Sequence, residues 1–290
     1  MKAKRRIQSA LALGLLATWW GACTESPFEN DIKPVARVIR GQVQLVDDPQ
    51  DQRAGVYVWM DGANLSTHTD STGKFELVIP HTLVGAGGVA INGVFRVYFY
   101  VANYGFASVE IAVRDGLFQY NQGDLDNNGN LQDPIRLFKI LTINTIVAPP
   151  SVAQSYDGPI DMQTTFRATG DSVTIVVPKS VGGLLGGIFF RHKQTGKIYI
   201  DIPDEGADTR ERIVVGNEPL SRRQVFQLNG TNFRELFLPV GDFEVIPFFF
   251  IEQEKMPAAL LKSLGENVEE PAPEYLKIPF RREGGEFQVF

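Results

Sequence analysis

The chain has 290 residues, of which 43% are hydrophobic and 21% are charged, so it is long enough to bury one large core or two ordinary ones. Its 34 acidic residues outnumber its 28 basic residues and give a net charge of −6. Because an acidic surface repels phosphate groups, this balance argues against nucleic acid as a partner. The chain has a single cysteine, so no disulfide within it can stabilise the fold.

The first 22 residues have the organisation of an export signal. Their amino end is basic and contains no acid, with Lys2, Lys4, Arg5 and Arg6. An apolar run follows at residues 10–20, and it is too short to span a bilayer. Two small residues and then Cys23 come next. We therefore predict that residues 1–22 are a signal peptide that is cleaved off.

The residues around Cys23 have the form Trp20-Gly21-Ala22-Cys23, which resembles a bacterial lipobox with Trp20 in place of the usual Leu. The resemblance implies a bacterial lipoprotein in which Cys23 carries acyl chains, and several acyl chains anchor a protein stably to a membrane. The alternative is an ordinary secretory signal followed by a chance cysteine. The expected location is the cell envelope. In a Gram-negative organism it is the outer membrane, because Thr24 rather than Asp follows Cys23.

Residues 23–36 are polar, contain two prolines and show no periodicity, so we predict that they form a tether. From residue 37 to residue 147, short runs alternate apolar and polar residues and are separated by turns. The clearest runs are 38–46, 56–60, 65–69, 74–79, 94–101 and 106–113. This period of two, together with the spacing of the turns, predicts an antiparallel β-sandwich over residues 37–147.

Four segments of this region carry recognisable motifs: GQV at 41–43, AGVYVWM at 54–60, THTDSTGKFELVIP at 67–80 and YFYVANYGFASVEIAV at 98–113. Together they resemble the carboxypeptidase regulatory-like domain. The resemblance implies a transthyretin-like β-sandwich of about a hundred residues without catalytic residues. Within it, Asp70 is expected to cap a turn, Gly73 to adopt a positive φ and Phe75 to enter the core. The Gly-rich insertion at 81–93 departs from the family and is either a recognition loop or an elaborated hairpin.

The second half of the chain repeats the β pattern. Residues 148–160 are rich in Pro and Ser and are predicted to be a linker. Short apolar and alternating runs continue through 161–290, which predicts a second β-sandwich-like domain. One short helix is expected at 257–264. The predicted fold class is all-β, with tandem antiparallel β-sandwich domains behind a lipoprotein signal peptide and a tether.

The sequence contains no catalytic signature. His68, His81 and His192 lack the spacing of zinc ligands, and no nucleophile-elbow, phosphate-loop or dinucleotide-binding motif occurs. We therefore predict that the protein is not an enzyme but presents its β-sandwich modules for protein or glycan binding, or as a component of an envelope assembly. The alternative is a glycan or peptide hydrolase with a cryptic carboxylate site, since 34 acidic residues leave a pair of carboxylates open.

Two pairs of aromatic residues form a candidate ligand-contact set. Tyr57 and Trp59 alternate on one predicted strand, and Tyr98 and Tyr100 alternate on another. On an exposed sheet these side chains could stack on sugar rings or anchor a protein partner. The alternative is that they belong to the core or to ordinary cross-strand pairs.

A candidate calcium loop lies near the end of the first predicted domain. Its D-x-D-x-N-G pattern places oxygen-bearing side chains at alternate positions around a glycine, as a hard cation requires. The candidate ligands are Asp124, Asp126, Asn128, Asn130, Gln132 and Asp133. The twelfth position is Ile135 rather than the bidentate Glu of an EF-hand, so a structural calcium site of modest affinity is one reading. The other is an Asn/Asp/Gly turn that binds nothing.

Overall fold

The computed structural model describes residues 36–47, 53–83, 90–180, 183–202, 209–228 and 236–290. The predicted signal peptide, Cys23 and all but the last residue of the predicted tether lie outside these ranges, as do residues 84–89 of the Gly-rich insertion. The described residues form twenty strands, one α-helix and one 3₁₀ helix, so the all-β prediction is confirmed. In the same ranges, no helix has both the length and the apolar character needed to cross a bilayer.

The first eight strands enclose one core and are here called the N-terminal sandwich. They are β1 (Val38–Val46), β2 (Tyr57–Met60), β3 (Leu65–His68), β4 (Lys74–Val78), β5 (Gly93–Tyr100), β6 (Ala107–Arg114), β7 (Leu117–Phe118) and β8 (Ile135–Phe138). One sheet has the order β4-β1-β8 and the other the order β3-β2-β5-β6-β7. Alternate side chains of both sheets meet between them, as the period of two requires. Val58 and Phe75 are buried there, and Phe75 contacts Phe99 edge to face with ring centroids 5.4 Å apart.

The next twelve strands form the C-terminal sandwich around a second core. They are β9 (Leu141–Ala148), β10 (Ser151–Val152), β11 (Ile160–Ala168), β12 (Val173–Pro178), β13 (Ile188–His192), β14 (Ile198–Asp201), β15 (Arg210–Val215), β16 (Leu220–Phe226), β17 (Gly241–Pro247), β18 (Phe250–Glu252), β19 (Glu283–Gly284) and β20 (Glu286–Val289). Three sheets surround this core, in the orders β10-β20-β17-β13-β14, β16-β11-β9-β19 and β15-β12-β18. Most pairs are antiparallel, but β1 with β8, β10 with β20 and β9 with β19 pair in parallel.

The division of the chain between the two sandwiches differs from the predicted boundaries. Strand β9, which the sequence analysis assigned to the first domain, pairs with β11 over its whole length and buries Leu141, Ile143 and Val147 in the second core. The predicted linker contains β10, whose Val152 is also buried in that core. An alternating pattern identifies a strand but does not show which sheet it joins, and this explains the difference.

A third buried cluster joins the two sandwiches and is here called the shared core. Helix α1 (Ala258–Leu264) and the 3₁₀ helix (Pro273–Lys277) belong to the connection between β18 and β19, and both contribute to it. Its buried members are Tyr57, Trp59, Tyr98, Tyr100, Ala102, Phe189, Ile246, Phe248, Leu260, Val268, Tyr275 and Ile278. The first five come from the N-terminal sandwich and its edge, and the others from the second half of the chain. The predicted helix at 257–264 is thus confirmed. Leu260 is its buried residue, so the helix is amphipathic, with one face in the shared core.

Buried polar contacts reinforce the shared core. The amide of Gln253 donates hydrogen bonds to the carbonyl oxygens of Ala102 (2.8 Å) and Tyr104 (2.9 Å). Asn103 is fully buried; its amide donates to the carbonyl oxygen of Arg281 (2.9 Å), and its side-chain oxygen accepts the N–H of Arg281 (2.9 Å). Residues 37–290 accordingly form one compact unit rather than two modules separated by a linker.

Candidate functional site

The T-D-x-x-G-x-F unit at residues 69–75 has the geometry expected from its sequence. One carboxylate oxygen of Asp70 accepts hydrogen bonds from the hydroxyl and N–H of Thr72 (both 2.8 Å) and from the N–H of Lys74 (3.0 Å). The Thr72 hydroxyl and these two N–H groups hold the pKa of Asp70 below its ordinary value. Gly73 has a φ of 80°, and an added Cβ would clash with the carbonyl oxygen of Val43. The unit therefore fixes the β3–β4 connection and directs Phe75 into the core.

The candidate aromatic set is not an exposed surface. Tyr57, Trp59, Tyr98 and Tyr100 are between 2% and 6% exposed, and all four belong to the shared core. Trp59 stacks on Tyr98 with ring centroids 5.8 Å apart, and the Tyr57 hydroxyl shares a hydrogen bond of 2.9 Å with Ser263 of helix α1. The proposed sugar or protein contact through these rings is therefore corrected: the second half of the chain already covers them.

The candidate calcium loop at residues 124–133, here called the Asp/Asn loop, is closed by its own hydrogen bonds. Asp126 accepts hydrogen bonds from the N–H groups of Asn128 and Asn130 (both 2.8 Å) and from the Asn130 amide (3.0 Å). The bond from the Asn130 amide is the main reason that the pKa of Asp126 is lowered. The N–H of Gln132 donates to the backbone carbonyl of Asp124 (3.0 Å), which closes the loop at its base. The arrangement has the hydrogen bonds of an Asx-type turn.

The candidate ligands of this loop differ in exposure. The side chains of Asp124, Asn128, Gln132 and Asp133 are exposed, whereas those of Asp126 and Asn130 are partly buried. Over the ranges that the structure describes, no cluster of three or more His, Cys, Asp or Glu side chains is placed to hold a metal ion. Gly129, with a φ of 79°, is required for packing, because a Cβ there would clash with the ring of Tyr120. A calcium ion would thus join a loop that is already closed, and calcium binding stays a prediction.

A depression of about 750 Å³, here called the His68 cleft, is lined by residues from separate sequence motifs. Its polar lining includes Arg40, Gln42, His68, Lys74, Gln132 and Asp133. Strand β1 accounts for this meeting, because Gln42 pairs with Lys74 of β4 and Arg40 bridges to Asn130 of the Asp/Asn loop. His68 and Asp133 are 65 positions apart in the sequence, so no local motif predicts their proximity.

A wider depression, here called the inter-sandwich groove, has walls from both sandwiches and a volume of about 1620 Å³. Its lining includes Arg96, Ser108, Phe138, Asp171, Arg212 and Glu252. Acidic and basic side chains of the lining are equal in number, and the ion pair between Arg212 and Glu252 crosses the outer face of the β15-β12-β18 sheet. Phe138 is 58% exposed on this groove, a large apolar surface for a single side chain. No local sequence motif identifies the groove, because its walls come from strands far apart in the chain.

The remaining histidine with a defined environment is structural. His192 is buried, its Nδ1 accepts the N–H groups of Gln194 (3.3 Å) and Thr195 (3.4 Å), and its ring contacts Phe243 edge to face. These contacts close the β13–β14 turn. His192 therefore has the role of a satisfied core histidine, as its isolated position in the sequence suggests.

Comparison with known proteins does not assign this chain to a family. No protein-family model matches it, and no curated protein sequence matches it. One solved structure with partial similarity is the alkylpurine DNA glycosylase AlkC of Pseudomonas fluorescens bound to DNA containing an abasic site analog. The two are 10% identical with a TM-score of 0.24, and the match covers 38% of this chain and 30% of the glycosylase. Similarity at this level supports no argument about fold or function.

Proposed function

We propose that this protein is a non-catalytic, lipid-anchored protein of the cell envelope that binds a protein or glycan partner through the inter-sandwich groove. The groove carries the proposal, because it is large, combines exposed apolar surface with charges of both signs, and has walls from both sandwiches. The shared core supports this reading, since a buried interface keeps the two walls at a constant separation and lowers the entropy cost of binding.

A protein partner is the preferred occupant of the groove. The four aromatic rings that were expected to offer a stacking platform for sugars are buried. What remains exposed in the groove is Phe138 and a balanced set of ionic groups, a composition that resembles the apolar centre and polar rim of a protein interface.

The test is crosslinking of the full-length protein in native membranes, followed by identification of the captured partners. We expect Phe138→Ala and Arg212→Glu to abolish a crosslink that the unaltered protein makes. Phe237→Ala is the matched control, because Phe237 is 68% exposed and lies outside the groove. The groove would be excluded as the binding surface if the partners were still crosslinked to both groove variants. It would also be excluded if Phe237→Ala abolished the same crosslinks.

The membrane anchor is proposed on the resemblance of residues 20–23 to a lipobox. The N-terminal sandwich is proposed to be a carboxypeptidase regulatory-like domain on the motifs described above. For the anchor, metabolic labelling with palmitate should label the unaltered protein, and Cys23→Ser should remove the label and release the chain from membranes. If the serine variant keeps its label and stays with the membrane after a carbonate wash, the lipoprotein proposal is wrong.

The alternative function, a glycan or peptide hydrolase, differs from a binding protein in that it converts its ligand to products. Incubation of the protein with envelope polysaccharides and peptides should give binding without products. Reproducible hydrolysis that a single Asp or Glu substitution removes would establish the hydrolase instead.

A further inference from the structure

The His68 cleft has the size and the composition of a small-ligand site. Its volume of about 750 Å³ lies within the range of roughly 300–1,000 Å³ that is usual for small-molecule sites. Polar side chains of the lining come from four separate elements: β1 with Arg40 and Gln42, β3 with His68, β4 with Lys74, and the Asp/Asn loop with Gln132 and Asp133. Below the rim lies the buried ring of Phe75. Such a site does not overlap the inter-sandwich groove, because the two depressions share no lining residue.

The lining of the cleft carries a small net charge. Arg40 forms an ion pair of 2.6 Å with Glu76, so these two charges cancel. The Asp70 carboxylate stays charged, because its hydrogen bonds come from neutral hydroxyl and N–H groups, and Lys74 acts on it electrostatically. Asp133 then leaves the lining with a net charge of −1, so the cleft offers hydrogen bonds to a ligand but disfavours an anion.

His68 adds a group that can both donate and accept. Its ring contacts the Tyr57 ring at a centroid distance of 5.2 Å, and in the part of the chain described here no hydrogen bond occupies its nitrogen atoms. Partial burial lowers the pKa of His68, so the neutral imidazole predominates at neutral pH. A neutral imidazole has one N–H donor and one nitrogen acceptor, which suits a hydroxyl group that can also do both.

We infer that the His68 cleft binds a short, uncharged saccharide, with His68, Lys74, Gln132 and Asp133 hydrogen-bonding to its hydroxyl groups. Each feature above favours this class of ligand. The side chains from three elements present donors and acceptors in several directions, as a ring of hydroxyl groups requires. The net charge of −1 on the lining disfavours phosphates and sulfates and is too small to select a polyamine. The site is separate from the groove of the proposed function and does not depend on it.

The test is a titration of the full-length protein, in a detergent without sugar groups, with a panel of neutral mono- and oligosaccharides, inorganic phosphate and glycine. At least one neutral saccharide should bind with a Kd on the order of 1 mM or tighter. Asp133→Ala and His68→Ala should each weaken that binding by about tenfold or more. Each removes a protein partner of a ligand hydroxyl group that is hydrogen-bonded to water when the ligand is free.

Two control variants test whether a loss of saccharide binding is specific to the His68 cleft. Asp124→Ala changes an exposed acid of the same loop that does not line the cleft, and Phe138→Ala changes the groove. Both should leave saccharide binding unchanged. The inference is overturned if no saccharide of the panel binds at about 10 mM, if phosphate or glycine binds more tightly than every sugar, or if Asp124→Ala weakens binding as much as Asp133→Ala. Sugar binding that Phe138→Ala abolishes would also overturn it, while supporting a glycan in the groove.

Discussion

Substitution of Tyr275 tests whether the two sandwiches unfold as one unit. Tyr275 lies at the centre of the shared core and is fully buried. Its ring stacks on Phe189 at 5.1 Å and contacts Phe248 edge to face at 4.9 Å. Its hydroxyl donates to the carbonyl oxygen of Phe249 (2.8 Å) and accepts a hydrogen bond from Arg282 (3.2 Å). Burial raises the pKa of this hydroxyl, so it stays protonated and continues to donate.

The expected loss of unfolding free energy follows from these contacts. Tyr275→Phe keeps the ring but leaves a buried carbonyl without this donor, which should cost about 1–3 kcal/mol of unfolding free energy. Tyr275→Ala also removes the ring from a closely packed cluster, and the loss of an aromatic side chain from a core costs about 3–5 kcal/mol. Tyr199→Phe is the matched control, because among the described residues no hydrogen bond involves the Tyr199 hydroxyl, and the substitution keeps the ring that contacts Phe243. Its effect should stay within about 0.5 kcal/mol.

Denaturant unfolding with two probes gives the measurement. A form of the protein that begins at residue 24 contains Trp59 as its one tryptophan, and Trp59 lies on β2 of the N-terminal sandwich. Far-UV circular dichroism reports on both sandwiches. We expect Tyr275→Ala to shift the Trp59 fluorescence transition and the dichroism transition together, since the shared core couples them. A dichroism transition that moves while the Trp59 transition stays in place would refute this reasoning and show that the sandwiches unfold independently.

Three further predictions concern the turns and the loop. Gly73→Ala should lower the unfolding free energy by about 1–3 kcal/mol. Gly196→Ala should lower it less, because Gly196 has a similar φ but open space around it. Equal urea midpoints for the two variants would show that the clash at Gly73 is relieved at no cost. Hydrogen bonds lower the pKa values of Asp70 and Asp126 in the folded protein. These two carboxylates therefore stabilise the folded state fully above about pH 3.9, the pKa of an unperturbed Asp. The stabilisation is lost as the pH falls through their pKa values in the folded protein. In the variants Asp70→Asn and Asp126→Asn, the urea midpoint should therefore fall less steeply as the pH is lowered than in the unaltered protein. An identical fall would show that these two carboxylates do not stabilise the fold. Since the Asp/Asn loop is already closed, calcium should raise the melting midpoint by less than about 2 °C relative to chelator; a larger rise that an Asp124→Ala/Asp126→Ala variant abolishes would establish the calcium site.

Local features of the chain were predictable where short-range chemistry determines them. The positions of most strands follow from the alternation of side chains, and α1 begins after Pro257 as proposed. The roles of Asp70 and Gly73 were also anticipated correctly, because the turn and the positive φ are decided within a few residues. Phe75 enters the core as expected, and Phe99 of the other sheet contacts it there.

The candidate sites were less predictable because they depend on partners far away in the sequence. The alternation of Tyr57 and Trp59 marks one face of β2, but the same pattern is compatible with an exposed platform and with a buried interface. The face is covered by residues of the second half of the chain, among them Leu260 of α1 and Tyr275 of the 3₁₀ helix, about 200 residues later. The inter-sandwich groove and the His68 cleft were missed for the same reason, since sheet pairing assembles their walls from distant strands.

The sequence by itself determined the all-β class, the turn chemistry of the N-terminal sandwich and the prediction of a lipid anchor at Cys23, because each rests on residues within a short window. The tertiary structure decided that β9 belongs to the second core, that the predicted linker contains a strand, and that the four aromatic rings join the sandwiches. The physical reason is that burial is a property of which surfaces meet. A run of alternating residues specifies that one face of a strand must be covered, and the rest of the fold specifies what covers it.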